Sequence, residues 1–224
     1  MLTKHVYTGC NKKLAAREET IFNTYRKLFQ TNCLPSNKQF VSLCGLCCDV
    51  DKGNIILKDS ELDHILREKF VINPSQYHGI DSNTDTILAN EKIVDFVDAE
   101  DKPSWYNQYF SLALNQISRE STFNPGVINF DSIVMPEKGM TNIKQIVKQT
   151  RNIKNVLLVC NLVTKSRDRV CTPEELFELI HSSGLKQLFN ETNWILVDDV
   201  VYSYQGTGKR SKTTMTTFVA YKKE

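Results

Sequence analysis

Three aspartates each close a short apolar segment: Asp81 in Tyr77-His78-Gly79-Ile80-Asp81, Asp98 in Val94-Asp95-Phe96-Val97-Asp98, and Asp131 in Gly126-Val127-Ile128-Asn129-Phe130-Asp131. A carboxylate at a fixed strand end presents two acceptor oxygens and no donor, the equipment for gripping hydroxyl or amino groups of a ligand. Aspartate there is also a common cap or turn residue. Three in successive units share a register, and that shared register points to one sheet edge as their common location.

Other constellations carry less. Cys44, Cys47 and Cys48 form a Cys-x-x-Cys-Cys cluster without a second Cys/His pair at finger spacing, so a four-ligand zinc site is not assembled and no metal is expected. The cysteines read as small side chains packing a buried strand end. Gly206-Thr207-Gly208-Lys209 lacks the first glycine of a phosphate loop and links two strands instead of a strand to a helix, so it reads as a basic turn. The four histidines are isolated from one another; His78 precedes Asp81 and reads as core or surface, with a place near a ligand as the alternative. Trp105 and Tyr106 open an amphipathic pattern and read as half-buried.

The elements that must position these residues follow from periodicity. A helix is predicted over 14–30, where Ile21, Tyr25, Leu28 and Phe29 recur at helical spacing. A buried strand over 40–44 ends at Gly45, and helix 60–70 follows. Short strands at 77–81, 94–98 and 126–131 then alternate with helices at 83–90, 105–118 and 141–150. In helix 105–118, Tyr109, Leu112, Ala113 and Ile117 would share the inner face. Strand 155–163 is the most apolar. Thr172-Pro173-Glu174-Glu175 is a helix start, with a capping threonine, proline at the first position and acids in the first turn. Two strand runs, 194–204 and 213–221, close the chain with only a glycine-containing basic turn between them, which predicts an antiparallel hairpin. Strand–helix alternation predicts a parallel sheet with helices on both faces, and ligands of such sheets bind at the carboxyl ends of the strands, where the strand order reverses. The domain organisation expected is a basic helical extension over 1–39 and one α/β domain over 40–224.

Composition limits the classes open to the chain. With 224 residues, 41% hydrophobic and 24% charged, it is an ordinary globular chain with enough residues to bury a core. No apolar run reaches the roughly 20 residues that span a bilayer, so no membrane partner is expected. Seven scattered cysteines suit a reducing, cytoplasmic setting. Charge is uneven: residues 1–39 hold seven Lys/Arg against two Glu, 40–110 hold thirteen acids against six basic residues, and 205–224 hold five basic residues against one acid. Basic ends flanking an acidic middle suggest a polyanion-binding face beside a small-ligand site, and Arg17, Arg26, Lys27, Lys209, Arg210 and Lys212 are its candidate nucleic-acid contacts.

The predicted order, five strand–helix units and a closing antiparallel hairpin, resembles the class I S-adenosylmethionine-dependent methyltransferases. The resemblance implies a Rossmann-like, mostly parallel seven-stranded sheet whose inserted last strand is antiparallel. It implies S-adenosylmethionine as cofactor. Cys44 and Gly45 would lie where the family's glycine loop approaches the methionine part. Asp81 would accept the two ribose hydroxyls, and Asp98 with Ala99 would receive the adenine. Asp131 and Ser132 would line the methyl-transfer site as catalytic residues. Two departures stand out: Gly45 is followed by Leu46-Cys47-Cys48-Asp49 in place of alternating glycines, and residues 46–59 read as an insertion. They open the alternative of a catalytically inactive binding or scaffold protein on the same fold.

Overall fold

The computed structural model describes residues 5–8, 15–43, 48–51, 54–57, 69–91, 103–132, 135–165, 170–205 and 214–223. In chain order the strands are β1 (His5–Thr8), β2 (Gln39–Leu43), β3 (Cys48–Asp51), β4 (Asn54–Leu57), β5 (Tyr77–Asp81), β6 (Ser104–Asn107), β7 (Pro125–Asp131), β8 (Val156–Lys165), β9 (Ile195–Gln205) and β10 (Thr214–Lys222). The main helices are α1 (residues 15–29), α2 (Thr84–Glu91), α3 (Phe110–Ile117), α4 (Pro136–Gln149), α5 (Pro173–Ser182) and α6 (Leu185–Glu191).

Eight strands form one sheet in the order β1-β9-β10-β8-β7-β2-β5-β6, and β3 pairs with β4 in a separate hairpin. Strands β6, β5, β2, β7 and β8 are mutually parallel, and β10 is antiparallel to both β8 and β9. From β2 onward the order is third-second-first-fourth-fifth-seventh-sixth, with the last-formed strand inserted antiparallel. This is the Rossmann-like methyltransferase fold. Beyond the seven expected strands there is an eighth: β1, from the segment expected to be helical, lies parallel to β9 at the sheet edge.

Alternation along the strands feeds two cores. Val41, Ile80, Ile128, Phe130, Leu158 and Cys160 face α3, α4, α5 and α6, while Phe40, Tyr77, Val127, Leu157, Val159 and Val219 face α1 and Ile87 of α2. In α4 the apolar side chains Met140, Ile143, Ile146 and Val147 recur at three- and four-residue spacing and are all buried, the stripe that seats a helix on a sheet. The N-terminus of α5 is built as its sequence dictates: Thr172 Oγ1 accepts from the Glu175 N–H at 3.2 Å, and Glu175 Oε2 accepts from the Thr172 N–H at 2.7 Å.

Several boundaries differ from the sequence expectation. Residues 104–107 are a strand where a helix was expected. Trp105 and Tyr106 are aromatics that suit a pleated surface, and they point to opposite faces, Trp105 against Tyr77 and Tyr106 against His78. Tyr109 is the extended residue before α3 and is 70% exposed, as is Leu112 at 57%. The inner face of α3 is therefore Phe110, Ala113, Leu114 and Ile117, shifted from the expected set. The strand predicted over 94–98 and most of helix 60–70 lie outside the described residues. Helix α4 begins at Pro136, because proline at the first helical position surrenders no hydrogen bond. Gly184 lies between α5 and α6. With φ of +76° it redirects the chain into α6, whose Leu185 and Phe189 return to the core.

Candidate active site

The strand order reverses between β5 and β7, which flank β2 on opposite sides, the place where open α/β sheets bind ligands at their carboxyl edge. The registers locate the acids there. Leu43 pairs with Ile80, and Ser42 pairs with Asn129, so Asp81 and Asp131 both stand one residue beyond Leu43. Asp81 pairs with Asn107 and Asp131 with Asn161. Across the carboxyl edge there thus runs one row containing Asn107, Asp81, Asp131 and Asn161, with Thr217 paired to Asn161. Asp81 and Asp131 are two strand spacings apart, about 10 Å. Two residues before them are Gly79 and Asn129, so by the period of two both acids lie on the α1 face.

Asp81 is half-buried, and its Oδ1 accepts the Asn83 N–H at 2.8 Å, while Asn83 Oδ1 accepts the Asp85 N–H at 2.9 Å. This double turn fixes the carboxylate orientation at the start of α2. Asn107 donates from Nδ2 to Thr84 Oγ1 at 2.7 Å, holding the end of β6 against the same helix. Below this row Gly79 has a packing role. A Cβ there would come within 2.3 Å of the Trp105 ring, so the indole lies over the space a side chain would fill.

Asp131 is ion-paired with Arg17, at side-chain exposures of 15% and 8%. The pair ties the first turn of α1 to the end of β7. Next to it, Ser132 is buried and donates its N–H to Asn161 O at 3.0 Å. Helix α1 has π geometry over Glu18–Asn23, with the Thr24 N–H reaching back to Glu19 O. Such wide turns are rare and recur at functional sites.

Beside and beneath Asp131 four buried polar side chains are linked across four strands, Asn161 and Thr217 level with the row and Asn129 and Ser42 two residues below it. Asn129 Nδ2 donates to Ser42 Oγ at 3.0 Å, Asn161 Nδ2 donates to Asn129 Oδ1 at 3.2 Å, and the Thr217 hydroxyl donates to Asn161 Oδ1. All four residues are at most 1% exposed. Buried amides survive only when bonded, and here they satisfy one another in a chain that spans the sheet centre.

The expected residues divide clearly. Asp81 and Asp131 are brought to one edge on one face. Arg17 was expected on an exposed basic face; it is instead buried against Asp131, because a carboxylate this enclosed requires a counter-charge. Arg26 and Lys27 are exposed, but they lie at the other end of α1: the Tyr25 hydroxyl comes within 3.3 Å of a Cβ placed on Gly126, at the start of β7. Nine residues of helix separate Arg17 from Arg26, roughly 13 Å along the axis, so these cations face away from the acidic row. Cys44, Gly45, Asp98, Ala99, Lys209, Arg210 and Lys212 lie outside the described residues. The β3–β4 hairpin occupies the stretch read as an insertion.

Sequence reasoning missed Asn107 and the polar chain. Asn107 closes the aromatic run Ser104-Trp105-Tyr106, an available strand signal. Asn129 and Asn161 interrupt otherwise apolar strands, and a polar residue in a buried run is informative. Among the described residues no group of three His, Cys, Asp or Glu side chains could hold a metal ion, and no helix is long and apolar enough to cross a membrane.

On the other face, His78 is 5% exposed, and its ring stacks on Tyr106 at 5.9 Å with Nδ1 3.2 Å from the phenol oxygen. Burial lowers its pKa from 6.5 to about 4 and raises that of Tyr106. The folded protein therefore keeps His78 neutral, while the unfolded chain takes up a proton near pH 6.5. Stability contributed by the neutral ring is present above that pH and falls progressively between pH 6.5 and 4, by up to about 3 kcal/mol. His78→Gln should flatten that part of the melting profile. A variant with the wild-type slope across this window would show that another group titrates.

No protein-family model matches the sequence, and no curated protein matches it. Similarity is found among solved structures. Magnesium protoporphyrin IX methyltransferase from Synechocystis PCC 6803, with bound S-adenosylmethionine, aligns over 93% of this chain and 80% of its own at 10% identity and a TM-score of 0.49. The N-methyltransferase NodS from Bradyrhizobium japonicum WM9 aligns over 92% of this chain and 99% of its own at 13% identity and a TM-score of 0.41. A methyltransferase from Methanosarcina mazei aligns over 86% and 95%, at 11% identity and a TM-score of 0.45. The strand order carries the fold assignment independently of these likenesses.

Proposed function

We propose that the protein is an S-adenosylmethionine-dependent methyltransferase whose acceptor is carried on nucleic acid. The observation that carries the reading is the row at the switch point: Asn107, Asp81 and Asp131 level with one another on one face of a methyltransferase-type sheet. The residues present fit the adenosyl group. Asp81 has one oxygen oriented by the Asn83 N–H, and its other oxygen accepts from no described residue, so a vicinal diol finds an acceptor there. Asn107, at the same level on the next strand, is exposed and offers an amide for a base edge.

The bound cofactor supplies a methyl carbon activated by its sulfonium. The chain's own contribution is to hold acceptor and methyl in line and to exclude water. In this reading Asp131 and Ser132, at the end of β7, orient the acceptor, and the Arg17 ion pair that holds Asp131 supports the assignment. The uneven charge of the chain supports a polyanionic acceptor, with basic residues concentrated at both ends.

Asp81→Ala should weaken S-adenosylmethionine binding about a hundredfold in calorimetry, the loss of charge-assisted hydrogen bonds to two hydroxyls. Wild-type affinity in the variant would remove Asp81 from the site. If the unaltered protein gives neither heat nor a thermal shift with millimolar S-adenosylmethionine or its demethylated product, the scaffold reading takes over. The β3–β4 hairpin, which starts within five residues of β2, favours that second reading, because it stands where the family's loop runs into a helix.

A further inference from the structure

We propose that the amino edge of the sheet, opposite the candidate active site, is a surface that binds the phosphate backbone of nucleic acid. The described loops at this edge, 30–38, 71–76, 118–124, 150–155 and 192–194, with residues 222–223, carry Lys38, Arg119, Arg151, Lys154, Lys222 and Lys223 against Glu120, with Glu191 closing α6 beside them; residues 92–102, which lead into β6, and Glu224 lie outside the described residues. None of these six cations has a carboxylate partner among the described residues.

Their centre is the loop between α4 and β8. Lys38 reaches it from the start of β2, donating from Nζ to Asn124 Oδ1 at 2.8 Å and to Lys154 O at 2.5 Å. Lys222 reaches it from the end of β10, donating to Arg151 O. Both lysines are buried, at 8% and 7% exposure. The loop adds the exposed side chains of Arg151 and Lys154, so four cations gather at one short turn. Burial lowers the Lys38 pKa to about 8, and burial together with repulsion from Lys154 lowers that of Lys222.

Capping of carbonyls explains Lys38 and Lys222. It does not explain why the exposed positions beside them are Arg151, Lys154 and Lys223, each adding like charge to a cluster with no carboxylate partner among the described residues. A phosphate lying across the loop reverses the sign of that interaction. A polymer fits better than a lone phosphate. The cations span the ends of β2, β7, β8 and β10, three strand spacings or about 14 Å, against one charge per roughly 3.4 Å along a nucleic-acid strand. Exposed neutral amides, Asn37, Asn152 and Asn155, stand beside these cations, the usual companions of cations at phosphate and sugar. The exposed residues of the 150–155 loop are Arg151, Asn152, Lys154 and Asn155, none of them apolar; among the described large hydrophobic residues of these loops Val71 alone is exposed, too little apolar surface to enter a bilayer. Arg26 and Lys27 extend the surface along α1. The inference does not depend on methyl transfer.

The test uses the full chain and a labelled single-stranded 20-mer, with anisotropy followed from 50 to 200 mM salt. Wild type should bind with a steep salt dependence. Arg151→Gln/Lys154→Gln should bind at least tenfold more weakly, with the log–log salt slope smaller by about 1.5, an unchanged melting temperature and unchanged heat with S-adenosylmethionine. Lys223→Gln, at the chain end, should weaken binding in the same direction. Wild-type affinity in both variants overturns the proposal, as does binding to phosphatidylserine vesicles without binding to the oligonucleotide. Absence of cofactor binding in every protein would overturn the methyltransferase reading alone.

Discussion

Arg17→Met should destabilise the protein by about 3–5 kcal/mol, because it strips a largely enclosed carboxylate of its counter-charge without returning that carboxylate to water. For a chain of this size that corresponds to a fall in melting temperature of roughly 10 °C. The partner is Asp131, only 15% exposed at its side chain. Arg17→Met/Asp131→Leu, which replaces the pair by apolar groups of similar volume, should recover most of the loss, since no charge is then left in the enclosed space. Arg17→Lys should fall between, keeping the charge but not the planar fork. A single variant that melts with the wild type would show that α1 is not held to β7 by this contact. The same measurement bears on the proposed site, because the role proposed for Asp131 requires that its own position be fixed.

The second large effect is expected at Asn161→Ala. Asn161 gives its amide N–H to Asn129 and accepts the Thr217 hydroxyl, so truncation deprives two buried groups of partners at once. Each such loss costs about 1–3 kcal/mol, and the vacated volume in a fully buried position adds to it. Chemical denaturation should therefore show a loss of roughly 3–5 kcal/mol at an unchanged denaturant slope. Asn190→Ala, at an exposed position of α6, should stay within about 0.5 kcal/mol. Equal effects from the two would mean that the polar chain linking Ser42, Asn129, Asn161 and Thr217 contributes nothing specific. Asn161 thus joins stability to geometry, since its backbone carbonyl also receives the Ser132 N–H.

Local chemistry made much of this legible from the sequence. The apolar runs ending at Asp81 and Asp131 are strands at those positions because a buried parallel strand has to be apolar on both faces, and the capping box at Thr172 announced α5 through contacts three residues apart. The closing hairpin was visible because two strand runs joined by a short turn without a helix pair most directly with each other. Trp105 and Tyr106 misled for a physical reason. Their pattern with Tyr109 and Leu112 satisfies a helical period over a short window, and only a neighbouring strand with a glycine at Gly79, leaving room for an indole, makes residues 104–107 an edge strand.

The sequence by itself determined the alternation of elements, the class of sheet and the strand ends at which two acids sit, because these depend on periodicity and on turn chemistry within a few residues. Tertiary structure alone decided that Arg17 belongs to Asp131 rather than to an exposed basic face, that Asn129, Asn161 and Thr217 complete one another, and that Lys38 and Lys222 meet at one loop. Those pairings join residues between 32 and 116 positions apart in the chain, and which side chains meet at such separations is set by strand register and by how helices seat on the sheet, neither of which leaves a local mark.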